Sequence, residues 1–151
     1  RPRRASAICF APTGTCYAIG CDDGAVVLVD VETRSPCGEI AAHRHAVSSM
    51  SFSSNGRGLV TASSDWMVHV WVVGAEGFER TGRFQKHASL ECEGPIASVE
   101  WHPFGLGVVL VVPIDAPAFL WDVEGGRKLY LPLSPSLSSS LQFPISDAGE
   151  D

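Results

Sequence analysis

The stretch Ser63-Ser64-Asp65-Trp66-Met67-Val68-His69-Val70-Trp71 puts a lone carboxylate six residues ahead of a tryptophan, inside a run that otherwise reads as strand. The spacing recurs twice. Asp23 precedes Val29 by six in "DGAVVLVD", and Asp115 precedes Trp121 by six in "DAPAFLWD". Asp65 therefore belongs to a unit that the chain uses three times.

Three aromatic-to-glycine turns mark the same unit: "FAPTG" from Phe10, "FSSNG" from Phe52 and "WHPFG" from Trp101. Each ends one alternating apolar segment and leads into another. Their starts lie 42 and then 49 residues apart. A period near 40 to 45 residues with four short strands per unit is the signature of a β-propeller blade. The middle unit reads as strands at 47–52, 58–63 and 67–73, with a fourth near 81–85, separated by "SNG", "SSD" and "GAEG". The first unit repeats this as "SAICF", "CYAIGC", "AVVLVDV" and "CGEIA", and the third as "IASVEW", "GVVLVV", "AFLWDV" and "KLYL". No segment sustains a helical period. The extra length of the second interval is assigned to "QKHASLECEG" (85–94), read as an inserted loop.

The expected architecture is thus all-β, a partial propeller over 1–133 with blades at about 5–42, 43–86 and 96–133. It is followed by a Ser/Pro-rich acidic tail at 134–151 whose composition predicts disorder. A propeller needs at least four blades, so three units imply a ring completed elsewhere, with an unpaired blade face at each end. The absence of an initiator methionine before Arg1 agrees with a start that is a cut.

Composition narrows the function classes. The 151 residues are 45% hydrophobic and 19% charged, as globular chains are. The longest apolar run, "VVLVVP", is far short of the roughly 20 residues of a spanning helix, which argues against a membrane protein. Five cysteines without a Cys-x-x-Cys pair argue against a disulfide framework and a structural zinc site, and for buried, reduced thiols in an intracellular protein. The net charge is −6, and the +3 of "RPRR" is offset by the −3 of "SDAGED". General phosphate-backbone binding is therefore not the main role, and any DNA contact is confined to local arginines such as Arg80 and Arg83.

The chain resembles the WD40-repeat family over about residues 5–133. That family has a Gly-His pair before a blade's first strand, present here as Ala42-His43, four residues ahead of Val47. It also has a Trp-Asp pair closing the third strand. That pair is complete at Trp121-Asp122 and half-present at Trp71-Val72 and Val29-Asp30. The resemblance implies a structural hydrogen-bond network of His43, Asp65 and Trp71, with Thr61 or Ser63 as the hydroxyl between histidine and indole. A carboxylate suits this place because it accepts strong bonds from neighbouring N–H groups. Asp23, Asp115, Trp121 and Asp122 hold the repeat-equivalent positions. Only the middle unit has every member, since Val29 replaces the tryptophan in the first and His87 stands nine residues before Ile96 in the third.

Catalytic readings of the same residues are weaker. His, Asp and Ser together suggest an acyl-transfer triad, but there is no Gly-x-Ser-x-Gly elbow, and repetition at a blade period is not what a single active site needs. His43 and His45 lack acidic or thiol companions at metal-ligand spacing, and "GCDDG" fits neither a phosphate loop nor a calcium loop. No cofactor, metal or small-molecule substrate is expected.

A narrower resemblance rests on "GCDDG" with "DVETR", "AHRHAV" and the proline-flanked "PIDAP" followed by "LPL". These are similar to the retinoblastoma-binding protein 5 family, propeller subunits of COMPASS-type histone-lysine methyltransferase complexes. The resemblance implies a nuclear, non-catalytic scaffold with protein partners, among them a SET-domain methyltransferase and the histones of the nucleosome. The alternatives are a generic WD-repeat adaptor of a ubiquitin ligase or RNA-processing complex and, more remotely, an enzyme whose active site lies at a propeller's central channel.

Overall fold

A computed structural model describes residues 2–73, 84–105 and 107–131. Twelve strands form three four-stranded antiparallel sheets, each in simple sequence order, and no helix occurs among the described residues. The first blade contains β1 (Ala5–Phe10), β2 (Cys16–Cys21), β3 (Ala25–Asp30) and β4 (Pro36–Ala41). The second contains β5 (Val47–Phe52), β6 (Gly58–Ser63), β7 (Met67–Val73) and β8 (Phe84–Glu91). The third contains β9 (Ile96–Trp101), β10 (Val108–Pro113), β11 (Phe119–Asp122) and β12 (Arg127–Tyr130).

One expectation fails here. Residues 85–91, read as most of an inserted loop, are strand β8, paired with β7 from Met67↔Glu91 to Val73↔Phe84. The connection to β9 is only Cys92–Pro95. The expected fourth strand at 81–85 lies mostly in residues 74–83, which with Arg80, Arg83 and the 134–151 tail are outside the described residues.

The blades stack face to face because a sheet side chain points alternately to either side. In the second blade Leu59 and Trp71 join Ala18, Val26, Leu28 and Ile40 of the first in one buried cluster. Val60, Ala62, Val68 and Val70 join Val99, Val109, Val111, Phe119 and Trp121 of the third in another. With both faces covered, all six residues of β6 are buried. The far face of the first blade is open: Ile8 and Phe10 are 62% and 67% exposed. Phe10 packs there against Tyr17, with ring centroids 5.6 Å apart.

Serines tie the innermost strands across the blade gaps. Ser6 Oγ donates to the Val47 carbonyl at 2.7 Å. The backbone N–H groups of Val99 and Trp101 donate to Ser49 Oγ and Ser51 Oγ, both at 3.1 Å. None of the five cysteines forms a disulfide; Cys16, Cys21 and Cys92 are buried, whereas Cys37 is exposed on β4, against the expectation that every thiol is covered. Burial pushes the Cys9 thiol up to about 12, so it stays protonated and unreactive.

Gly20 sets how closely the first two blades approach. A Cβ there would come within 2.7 Å of Val47 Cβ and Cγ1. Gly20→Ala should therefore destabilise the fold by about 1–3 kcal/mol, the usual range for overpacking a core. Chemical denaturation of the variant checks this, and an unchanged midpoint would show that the gap has slack.

Candidate functional site

The site begins in two turns on the loop face of the second blade. The β6–β7 turn carries Asp65, and the β4–β5 loop carries His43. Asp65 Oδ1 accepts the N–H of Met67 at 3.0 Å and Oδ2 accepts that of Arg44 at 3.0 Å, so one carboxylate fixes its own turn and the neighbouring loop. Ser63 Oγ lies close to the His45 and Ala46 carbonyls, at 3.0 and 2.8 Å, and accepts the N–H of Asp65 at 3.1 Å. Ser63 thus belongs to the turn.

The four remaining groups form a directional chain. The Trp71 indole N–H donates to Thr61 Oγ1 at 3.0 Å. Thr61 Oγ1 lies 2.8 Å from His43 Nε2, and His43 Nδ1 lies 3.1 and 3.2 Å from the two Asp65 oxygens. Ionised Asp65 only accepts, so Nδ1 carries the proton, Nε2 accepts from Thr61, and the threonine oxygen is left to accept the indole N–H. Every donor has one acceptor in this order. The expected hydroxyl, Thr61 or Ser63, is Thr61.

Burial sets the protonation states. Removal from water opposes ionisation of Asp65, but the N–H groups of Arg44 and Met67 and the nearby His43 outweigh it, holding the carboxyl below its ordinary value. His43 has a side chain with 0% exposure, and desolvation lowers its pKa despite Asp65. A residue missed in the sequence completes the arrangement: the His69 ring stacks on His43 with centroids 4.7 Å apart and lies edge-on to Trp71 at 5.9 Å. Its Nδ1 lies 2.8 Å from Ser89 Oγ. Desolvation and His43 depress His69 to about 4. The available signal was "HVW", which places a histidine on the same strand face as Trp71.

The other two blades do not build this chain. Strand register puts Ile19, Val27 and Val29 of the first blade where the second has Thr61, His69 and Trp71. Asp23 there still accepts the N–H of Ala25 at 3.0 Å, but its second partner is the exposed Arg3, at 2.7 Å. Arg3 also reaches Glu39 at 2.8 Å. In the third blade Val111 and Phe119 replace Thr61 and His69; Trp121 is buried and Asp115 is exposed. His87 lies on β8 and bridges to Glu124 of the third blade at 2.6 Å. Asp122 and Asp30 serve a different turn. Their Oδ1 atoms accept the N–H groups of Gly125 at 2.9 Å and Thr33 at 2.7 Å, closing the entry into each blade's last strand.

Chemically this is a closed structure. No group of three or more His, Cys, Asp or Glu side chains placed to hold a metal ion occurs among the described residues. The imidazole that would have to act as a base has both nitrogens engaged and no exposed surface.

The chain can be broken at any link, and the links should differ in cost. Thr61→Val keeps the volume but leaves the Trp71 N–H and His43 Nε2 unpaired, so it should cost about 1–3 kcal/mol for each stranded group, whereas Thr61→Ser should cost less. By the same reasoning Asp65→Ala should lower the melting temperature more than Asp23→Ala, whose ion pair is exposed; equal small shifts would remove the network's role. The fold should also lose stability on acidification. Both histidines are neutral when folded and take up protons more readily when unfolded, so the stability is complete above pH 6.5. It falls as pH drops from there toward about 4, with His69 accounting for up to about 3 kcal/mol. Denaturation of His69→Gln across this range should show a shallower loss.

Comparisons with known proteins agree with this geometry. Residues 34–72 match the family model described as "WD domain, G-beta repeat". The retinoblastoma-binding protein 5 homolog of Drosophila melanogaster is 36% identical over 124 residues, covering 82% of this chain and 24% of that protein. The COMPASS component SWD1 of Saccharomyces cerevisiae is 35% identical over 74 residues, 46% of this chain and 17% of that protein. The chain thus spans about a quarter or less of these relatives' length. The crystal structure of the Cps50 (Swd1) β-propeller domain from Myceliophteria thermophila superposes with a TM-score of 0.78 at 24% identity, over 90% of this chain and 41% of that one. The repeat model spans all four members of the hydrogen-bonded chain and the structural neighbour has the same architecture, so this chain carries a WD40 repeat within a β-propeller fold.

Proposed function

We propose that the protein containing this chain is the non-catalytic WD40 scaffold of a COMPASS-type histone-lysine methyltransferase complex. The observation that carries this reading is the 36% identity to a retinoblastoma-binding protein 5 homolog, which runs across 82% of the chain and so through all three blades. A relative named as a COMPASS component and another named as a Set1 complex component, the latter 29% identical over 90% of the chain, support the same assignment.

The site supports a scaffold on physical grounds. His43, Asp65 and Thr61 satisfy one another and Trp71, which rigidifies a blade and leaves no free base or nucleophile among these four. In this reading the partners include a SET-domain methyltransferase, the complex works on nucleosomal histones, and the protein is nuclear. The acidic balance of −6 suits a place beside basic subunits or histone tails.

Affinity purification of the full-length protein, with mass spectrometry and a histone methylation assay on the eluate, tests this. The expected result is recovery of a SET-domain enzyme and methyl transfer by the eluate, with none from the purified scaffold alone. Recovery of a cullin ligase or RNA-processing assembly without a methyltransferase would overturn it in favour of a generic adaptor.

A further inference from the structure

Folding does not account for Trp66. It follows Asp65 in the β6–β7 turn, is 48% exposed, and has φ of +72°, a region in which the Cβ of an L-residue is crowded. The equivalent position in the first blade is Gly24, with φ of +89°. The second blade thus places the bulkiest side chain where backbone geometry favours none, and then leaves about half of it in water. Strain combined with exposure of this kind is found where a surface makes contact with a ligand.

The surroundings define what that contact would be. The Trp66 carbonyl accepts the N–H of Cys92 at 2.9 Å, and three residues further on the Pro95 carbonyl accepts the N–H of Ile114 at 2.9 Å. Cys92–Pro95 spans at most about 11 Å, so the backbones of Trp66 and Ile114 hold the two ends of one short loop. Ile114 is 59% exposed. The exposed carboxylates nearby are Glu93 within the loop, Glu91 paired with Met67, and Asp115 beside Ile114. Lys128 lies over the Phe119 ring at 5.2 Å, and Arg44, whose backbone N–H is held by Asp65, is exposed.

We propose that this face docks an extended basic segment of a protein partner. A lysine or arginine of the segment lies over the Trp66 ring, where the π-face attracts a cation, with Glu91 and Glu93 completing its charge balance. An apolar side chain of the same segment covers Ile114. Tryptophan suits the central anchor of such a contact because a large rigid side chain excludes water at little entropic cost. The proposal depends on the blade geometry and not on which complex the protein joins.

The test uses the full-length protein and a labelled short peptide of lysine and serine around one leucine, with the same peptide carrying glutamate for lysine as control. Fluorescence anisotropy should show binding of the lysine peptide only, weakened by raised salt. Trp66→Gly suits the left-handed backbone and should keep or raise the melting temperature while weakening binding at least about tenfold. Glu93→Lys should weaken it too. No binding of the lysine peptide, equal binding of the glutamate peptide, or binding untouched by Trp66→Gly would overturn the proposal.

Discussion

A sheet of four short strands has two faces and no interior, so a blade is stable only while another blade covers it. This constraint explains most of the sequence. The second blade, flanked on both sides, is apolar on both faces of β6 and β7, with Leu59 and Trp71 turned one way and Val60, Ala62, Val68 and Val70 the other. Its polar residues Thr61, Ser63 and His69 are buried as a consequence, and every one of them is hydrogen-bonded. The Trp71–Thr61–His43–Asp65 chain is what burial of a mixed polar and apolar face requires: complete pairing, or a penalty for each group left out.

The blades differ in how they meet that requirement. The third keeps the tryptophan, as Trp121, but has the apolar Val111 and Phe119 in place of Thr61 and His69. The first retains the turn aspartate but replaces the imidazole with the exposed guanidinium of Arg3. An exposed pair of that sort adds little to stability, whereas the buried chain is costly to break at any link. Folding stability is therefore concentrated in the middle blade, where two packed interfaces and one polar chain coincide.

Much of this was legible in the sequence, because strands with a buried face alternate. The inner three strands of every blade could be placed to within a residue or so from that alternation and from the turn residues. The exception was β8. Its residues Gln85, Lys86, His87 and Ser89 lie on an outer strand with little buried surface, so no apolar period marks it, and it read as loop. In the site, Thr61 and Ser63 lie on one face two residues apart, and only the distances separate the network hydroxyl from the turn hydroxyl. His69 was hidden because it sits in an apolar strand and is made tolerable by a ring stack, which leaves no spacing pattern. The strain at Trp66 was equally invisible, since "DWMV" reads as the start of a strand; alignment with "DDGA" was the only hint.

The polar outer strands have a further effect. Each sheet ends in a strand whose outward backbone groups could pair with a strand from another chain, the first step toward ordered aggregates. β8 carries Lys86 and His87 on that margin, β12 carries Arg127 and Lys128, and β4 opens with Pro36, which has no N–H to offer. An approaching strand would have to desolvate those polar side chains, so the same residues that concealed β8 from pattern reading disfavour use of the propeller rim as a template for self-association.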